Sequence, residues 1–191
     1  MDFRFEIMTE VSINKQARLS QHLTSSSVAT LGHSSELDGS RLSPHFTLGE
    51  LCKTSAKTQD GNIPSHVHIE NLKRLCGWLE MLRSEWNKRY GEGDDPIVIN
   101  SGYRSEAVNK AVGGVKGSNH LAGCAADIRV AGIEQLVRYA TILLDISDES
   151  QEDFDELLLE RSPRGGYWLH FAVRPPSQEN RRKVSLIQSL R

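Results

Sequence analysis

The sequence predicts an α+β domain with a small, mainly antiparallel sheet flanked by helices. Two observations on the 191-residue chain indicate this class. A long amphipathic helical segment comes first, and short apolar runs typical of strands follow it, with further helical segments between them. The predicted sheet is thin, so we expect the long helix to cover one face and a functional cleft to open on the other.

The N-terminal part of the chain predicts a flexible leader over residues 1–43. Residues 11–43 are rich in serine, threonine and small residues, without a sustained apolar period. His22 and His33 fall in this segment and are interpreted as solvated side chains. The folded domain is therefore expected over residues 44–191.

Two helices are expected at the start of the domain. Thr47 and Glu50 have the spacing of a capping box for a short helix within Phe46–Leu51. Ser65 then opens the longest helical segment, which extends to about Trp86. Its apolar residues recur at three- and four-residue spacing, which predicts an amphipathic core helix: Ile69, Leu72, Leu75, Cys76, Leu79 and Leu82.

Short strands and helices are expected in the middle of the chain. Ile97–Ile99 and Ala125–Val130 are apolar runs of strand length. Glu106–Val112 and Ile133–Leu144 have helical spacing. The acidic and polar residues 145–153 are interpreted as a surface loop.

A hairpin and a helix are expected at the C-terminal end. Phe154–Glu160 and Tyr167–Val173 read as two strands, joined by Arg161–Gly166, whose proline and glycines suit a turn. Asn180–Leu190 is expected to end the domain as a basic helix.

Composition excludes several classes of protein. The net charge of −2 and the absence of basic tracts give no reason to expect nucleic acid or an anionic membrane as a partner. The hydrophobic fraction of 38% is enough for a core. We also expect the protein to be a monomer. The first residues lack the features of a secretory signal, and no apolar stretch is long enough to span a bilayer, so synthesis in the cytoplasm is expected.

The cysteines do not form a recognisable framework. Cys52, Cys76 and Cys124 are odd in number and widely spaced, so neither disulfides nor a thiolate zinc site is indicated. Reduced, buried thiols are expected. Cys124 lies among candidate metal ligands, where it can be a ligand but fits better as a small apolar filler.

The segment from Asn100 to Val130 carries the candidate site. His120 and Asp127 are donors that Zn²⁺ accepts, and the alanines and glycine around them allow close backbone approach. A catalytic zinc needs a third protein donor and one open position. His170 can supply it from an apolar run that reads as a buried strand, although a lone histidine in such a run is more often a hydrogen-bonded core residue.

Three separated motifs resemble the signature of the M15 zinc peptidases. They are Ser101-Gly-Tyr-Arg104, Ser118-x-His120-x-x-Gly123-x-Ala125-x-Asp127, and Trp168-Leu-His170, and the resemblance covers about residues 44–185. That family includes D-alanyl-D-alanine carboxypeptidases and dipeptidases and phage L-alanyl-D-glutamate endopeptidases. Its metal site resembles that of the hedgehog signalling domain, so a hedgehog/DD-peptidase-like fold is implied.

The resemblance implies roles for individual residues. It implies His120, Asp127 and His170 as zinc ligands, and Arg104 as the arginine that contacts the substrate carbonyl or carboxylate. The other reading of Arg104 is a surface ion pair, for example with Glu106. Ser118 is expected to hydrogen-bond substrate or orient a ligand. Tyr103 and Trp168 are expected either to wall the cleft or to belong to the core.

The general base departs from the family pattern. Many members carry an acid three residues before the last histidine, where this chain has Tyr167. A subgroup instead has a glutamate at the end of the preceding strand, which Glu160 resembles, so we take Glu160 as the catalytic base. Glu156 lies on the same strand face by the period of two and is the second candidate.

Two hypotheses of function follow. The first is a zinc metallopeptidase that hydrolyses a peptide bond in peptidoglycan stem peptides, as a D-Ala-D-Ala carboxypeptidase or a murein endopeptidase. The second is a catalytically weak or inactive module of the same fold that binds cell wall or belongs to a phage particle. Without a signal peptide, the protein would reach cell wall only if it is released or carried by a phage.

Overall fold

A computed structural model describes residues 39–188. Residues 1–38, most of the expected leader, and residues 189–191 lie outside the described residues, so the boundary at residue 44 stays a prediction. The elements, in chain order, are α1 (Leu48–Cys52), α2 (His66–Arg89), β1 (Ile99–Ser101), α3 (Glu106–Ala111), a 3₁₀ turn (Asn119–Ala122), β2 (Ala125–Arg129), α4 (Ile133–Ser150), β3 (Glu156–Arg161), β4 (Tyr167–Ala172) and β5 (Lys183–Gln188).

The predicted helix starts are confirmed. The Thr47 hydroxyl accepts from the backbone N–H of Glu50, and the Glu50 carboxylate accepts from the backbone N–H of Thr47, which completes the capping box of α1. Ser65 is the N-cap of α2. Of the apolar positions that predicted α2, Ile69 is partly buried and the others are buried in the core, which explains the helical period.

The five strands of the described residues form one sheet in the order β1-β2-β4-β3-β5. The pairs β1–β2, β2–β4 and β3–β4 are antiparallel, whereas β5 runs parallel to β3. The sheet is therefore mainly antiparallel, and the predicted α+β class is confirmed. In its register, Asp127 on β2 lies opposite His170 on β4.

The two faces of the sheet differ in what covers them. Leu169 and Phe171 of β4 are buried in the core on the helix side, where the ring centroids of Phe171 and Trp78 of α2 are 5.4 Å apart. Side chains alternate along a strand, so His170 and Trp168 lie on the opposite face. Helices thus cover one face, and the candidate ligands lie on the other.

The predicted C-terminal helix is wrong. Lys183–Gln188 form strand β5, which pairs in parallel with β3 along its whole length. The backbone N–H of Lys183 donates to the Asp155 carbonyl, and this bond sets the entry into β5. An open edge of β3 supplied backbone partners that local sequence does not reveal, and the β-branched Val184 and Ile187 are compatible with a strand.

Two boundaries also differ from the prediction. Helix α4 extends to Ser150 through part of the expected loop at 145–153, because Ile146 and Ser147 are buried in its packed face. The first strand comprises Ile99–Ser101 instead of Ile97–Ile99. Ile97 is buried in the core just before it.

Within residues 39–188, no helix has the length and apolarity needed to cross a membrane.

Replacing Gly102 by alanine is expected to destabilise the fold. The added Cβ would overlap the Leu51 carbonyl oxygen, and because that oxygen belongs to the backbone rather than to a flexible side chain, we expect overpacking to cost about 1–3 kcal/mol. Gly77→Ala is the matched control, since nothing lies within 4 Å of its added Cβ inside α2; it should stabilise by up to about 1 kcal/mol. Urea titrations measure both free energies of unfolding. Equal stabilities would contradict the close approach at Gly102.

Candidate metal centre

Three elements bring one donor each to the open face of the sheet. His120 comes from the 3₁₀ turn, Asp127 from β2 and His170 from β4. Their ligand atoms all lie within 4.8 Å of one another. The structure therefore brings together the three residues that the sequence motifs proposed as ligands.

The distances between these atoms fit a single tetrahedral ion. His120 Nε2 lies 3.3 Å from Asp127 Oδ1, and His170 Nδ1 lies 2.9 Å from the same oxygen. Donors that each stand about 2.0–2.2 Å from a tetrahedral Zn²⁺ are separated from one another by roughly 3.3–3.5 Å. Two imidazoles and one carboxylate are also a donor set that zinc accepts. The 3.3 Å separation matches this range, and the 2.9 Å separation would have to widen by about half an ångström for the donors to share one zinc ion.

Local hydrogen bonds orient the His120 ring. The Ser118 hydroxyl caps the 3₁₀ turn and accepts from the His120 backbone N–H, and Gly123 ends the turn with a φ of 70°. His120 Nδ1 lies 2.6 Å from the Gly102 carbonyl oxygen, so that nitrogen carries the proton and donates. Nε2 is then the unprotonated nitrogen directed toward Asp127. A carbonyl in this position fixes the tautomer of a ligand histidine.

Opposing electrostatic effects set the ionisation of the three donors. Burial would raise the pKa of Asp127, but His120 and His170 outweigh it and hold that pKa well below its usual range. Burial lowers the pKa of His120. Burial would also lower the pKa of His170, but Asp127 and Glu156 overcome it and raise the pKa to about 9. A metal ion binds neutral imidazoles, so an ion held here would displace a proton from His170.

Arg104 belongs to the site rather than to the surface. Its Nη2 donates to Asp127 Oδ2 at 2.5 Å, and its Nε donates to the Ser101 hydroxyl at 2.8 Å. The alternative was a surface ion pair with Glu106 or another nearby acid; the side chain does pair with an acid, Asp127, but it is only 17% exposed. Arg104 thus holds the carboxylate oxygen that does not face the two histidines.

Both candidate bases lie on β3, on the face that carries His170. Glu160 lies opposite Trp168 in the pairing of β3 with β4. Burial raises the pKa of Glu160; the charge of His170 opposes this effect, whereas the charge of Asp127 adds to it. For Glu156, the contact with His170 is the largest effect and lowers its pKa to about 2, against burial and with help from Lys183.

The expected substrate-binding residues have different surroundings. Ser118 orients the turn that carries His120. Tyr103 is buried in the core, where the centroids of its ring and the His68 ring are 4.7 Å apart. It therefore has little surface for a ligand. Trp168 is partly exposed on the site face beside Glu160. Substrate contact by these residues stays a prediction.

Sequence reasoning missed two polar residues beside the centre. Asn119 directly precedes His120, and its amide donates to Asp155 Oδ2 and Glu156 Oε2 at 2.8 and 3.1 Å. Asp155 is fully buried and is paired with Arg174 and Arg181. The sequence offered one sign of a buried Asp155, namely its position next to the apolar Phe154. Its partners Arg174 and Arg181 could not be predicted, because they are distant from it along the chain.

The cysteines do not take part in the centre. All three are free, and the metal-ligand cluster found among the described residues does not include Cys124. The Cys124 side chain is fully buried, and burial raises the pKa of its thiol to about 11. The filler interpretation of Cys124 agrees with this position.

Two histidines and an aspartate meet on the open face of a small α+β sheet, and together they could hold one metal ion of the kind used in metal-dependent hydrolysis. A sequence profile of the family Peptidase M15 matches residues 44–145, which is more than half of the chain. The chain belongs to this peptidase family, as its motifs indicated.

A relative that is named for its activity shares part of the sequence. The zinc D-Ala-D-Ala carboxypeptidase of Streptomyces albus G is 31% identical to this chain over 84 residues. The match comprises 44% of this chain and 31% of that protein. The chain thus spans under one third of the length of this relative.

Alanine substitution of any one of the three donors is expected to lower the zinc content of the purified protein sharply. The reason is that two remaining donors no longer make the three-point shell that a catalytic zinc requires. His66→Ala is the matched control, because the His66 side chain is 87% exposed. Zinc per chain is measured by atomic emission. Undiminished zinc in His170→Ala would exclude His170 as a ligand.

Proposed function

We propose that the protein is a zinc metallopeptidase that hydrolyses a peptide bond in peptidoglycan stem peptides. The observation that carries the proposal is the cluster of His120, Asp127 and His170 in a chain of family Peptidase M15. The name of the Streptomyces relative supports zinc as the ion and a D-Ala-D-Ala type of bond as the target. Carboxypeptidase and murein endopeptidase action are both within this proposal.

The three donors would hold the ion and leave a position open toward the exposed face of the sheet. Zinc in such a shell lowers the pKa of the water it binds to about 7 and polarises a carbonyl. Asp127 is already ionised, and Arg104 and the two histidines fix its orientation. The chain therefore holds its three donors close to the positions that one shared ion would require.

Arg104 is proposed to bind the substrate carbonyl or carboxylate. Guanidinium has five N–H donors in a planar fork, and Ser101 and Asp127 take one each. The remaining N–H groups can then donate to a further oxygen, from the substrate. Contact with a developing oxyanion would lower the barrier to carbonyl attack.

Glu160 is proposed to accept the proton of the attacking water and to pass it to the leaving amine. Its support is its position on the same face as His170, next to Trp168, together with the burial that raises its pKa. A carboxylate with a raised pKa is a stronger base, which suits proton transfer near neutral pH. Tyr167 lies three residues from His170 on the same strand, so its side chain is on the opposite face and packs against the core.

Glu160→Gln is expected to keep zinc while turnover falls by roughly 10²–10⁴, the usual contribution of a general base. The amide preserves the shape of the side chain but cannot take up the proton. The assay is amine release from purified peptidoglycan by the zinc-loaded protein, with a chelator-treated sample as the blank.

Glu156→Gln and Tyr167→Phe are the comparison variants for this assay. Both should keep more turnover than Glu160→Gln when zinc is saturating. If only Glu156→Gln loses turnover, Glu156 is the base instead. If the zinc-loaded natural protein releases no amine, the domain is a cell-wall-binding or particle module and the peptidase proposal fails.

Arg104→Lys is expected to fold normally and to lose most activity. Lysine keeps a positive charge beside Asp127 but cannot contact Ser101, Asp127 and a substrate oxygen with one planar fork. The measurement is kcat/KM on peptidoglycan, with the thermal unfolding midpoint as the control for folding. Equal kcat/KM in the two proteins would show that Arg104 acts only as an ion-pair partner of Asp127.

A further inference from the structure

Glu156 contacts the side of the His170 ring that faces away from the donor cluster. His170 Nδ1 lies 2.9 Å from Asp127 Oδ1, whereas His170 Nε2 lies 3.7 Å from Glu156 Oε2. The two nitrogens are on different edges of the ring. The imidazole therefore stands between the Glu156 carboxylate and the donor cluster.

Three further groups hold the Glu156 carboxylate in place. Asn119 Nδ2 donates to Oε2 at 3.1 Å, and Oε1 lies 3.2 Å from Lys183 Nζ and 3.0 Å from Arg181 Nη2. The Glu156 side chain is only 15% exposed. With partners on both oxygens, the carboxylate has little freedom to turn toward another group.

Asn119 extends this contact to the second histidine. It is the residue before His120, and its amide bridges Glu156 and the fully buried Asp155. Asp155 is in turn fixed by bidentate contact with Arg181. One polar network thus touches the His170 ring and the turn that carries His120.

We infer that Glu156 is a positioning residue, which fixes the ring orientation and tautomer of His170 so that Nδ1 is the metal-binding nitrogen. A neutral histidine that binds a metal through Nδ1 must carry its proton on Nε2. A carboxylate beside that N–H holds the ring in place and makes the ligand nitrogen more basic. The inference rests on the zinc site of the proposed function.

The C-terminal strand takes part in this arrangement. Lys183 begins β5 and pairs with Glu156 in the parallel register, and Arg181 precedes the strand. Both lie beyond residues 44–145, the part that the family profile matches. Asn119 lies within the matched residues, whereas Arg181 and Lys183 lie beyond them. Both parts of the chain therefore contact the Glu156 carboxylate.

The test is the zinc dissociation constant of the full chain, measured by competition with a chromophoric chelator. Glu156→Gln should weaken zinc binding by roughly 10–100-fold, the usual effect of losing such a partner. Lys183→Met removes one of the three groups that hold Glu156, so it should weaken zinc binding less than Glu156→Gln does. Glu160→Gln removes the other carboxylate of the same strand face and is the control, which should keep the zinc affinity of the natural protein.

Proton NMR of the zinc-loaded protein adds a readout that a merely structural role would not change. The His170 Nε2–H resonance should appear downfield in the natural protein and move upfield in Glu156→Gln, because an amide oxygen is a weaker acceptor than a carboxylate. Unchanged affinity with an unchanged resonance would overturn the inference.

Two other outcomes separate the possible failures. Equal loss of zinc affinity in Glu156→Gln and Lys183→Met would overturn the inference, since the packing of β3 on β5 would then set the affinity. If the natural protein itself binds no zinc, the zinc site of the proposed function fails, and the role of Glu156 falls with it.

Discussion

The antiparallel pairing of β2 with β4 is the constraint on which the metal centre depends. It sets Asp127 opposite His170, so the oxygen and the nitrogen that would share an ion approach to 2.9 Å. A slip of one residue would move either side chain to the helix-covered face. Burial of Phe171 and Leu169 against the helices prevents such a slip, since it would expose them. The apolar core thus fixes the register of a polar site.

The second constraint is the charge of Asp127. An ionised carboxylate that is only 14% exposed is costly unless other groups compensate it. Arg104 pairs with one of its oxygens, and His120 and His170 face the other. The same contacts that make the buried charge tolerable also keep the donors close together. Stability of the fold and readiness for an ion therefore have a common origin.

The carboxylates of β3 differ because of what surrounds them. Glu156 faces His170 Nε2 and two cationic side chains, which lower its pKa to about 2. Glu160, on the same face, lies beside Trp168, and burial raises its pKa. A strongly paired carboxylate is suited to holding a neighbour, whereas a desolvated one is suited to accepting a proton. Both glutamates fall on the same face of β3 by the two-residue period of a strand, so the sequence pattern alone could not separate their roles.

Features that depend on neighbouring residues along the chain could be predicted from the sequence alone. Thr47 and Glu50 specified a helix start, the apolar period specified α2, and three short motifs contained every residue of the donor cluster. Tertiary structure decided the rest: that Lys183–Gln188 form a strand, that Arg104 pairs with Asp127, and that Glu156 lies behind His170. Local patterns reflect backbone propensity and side-chain spacing, whereas these contacts join segments distant in sequence. Only the folded sheet, through its strand order and register, brings such segments together.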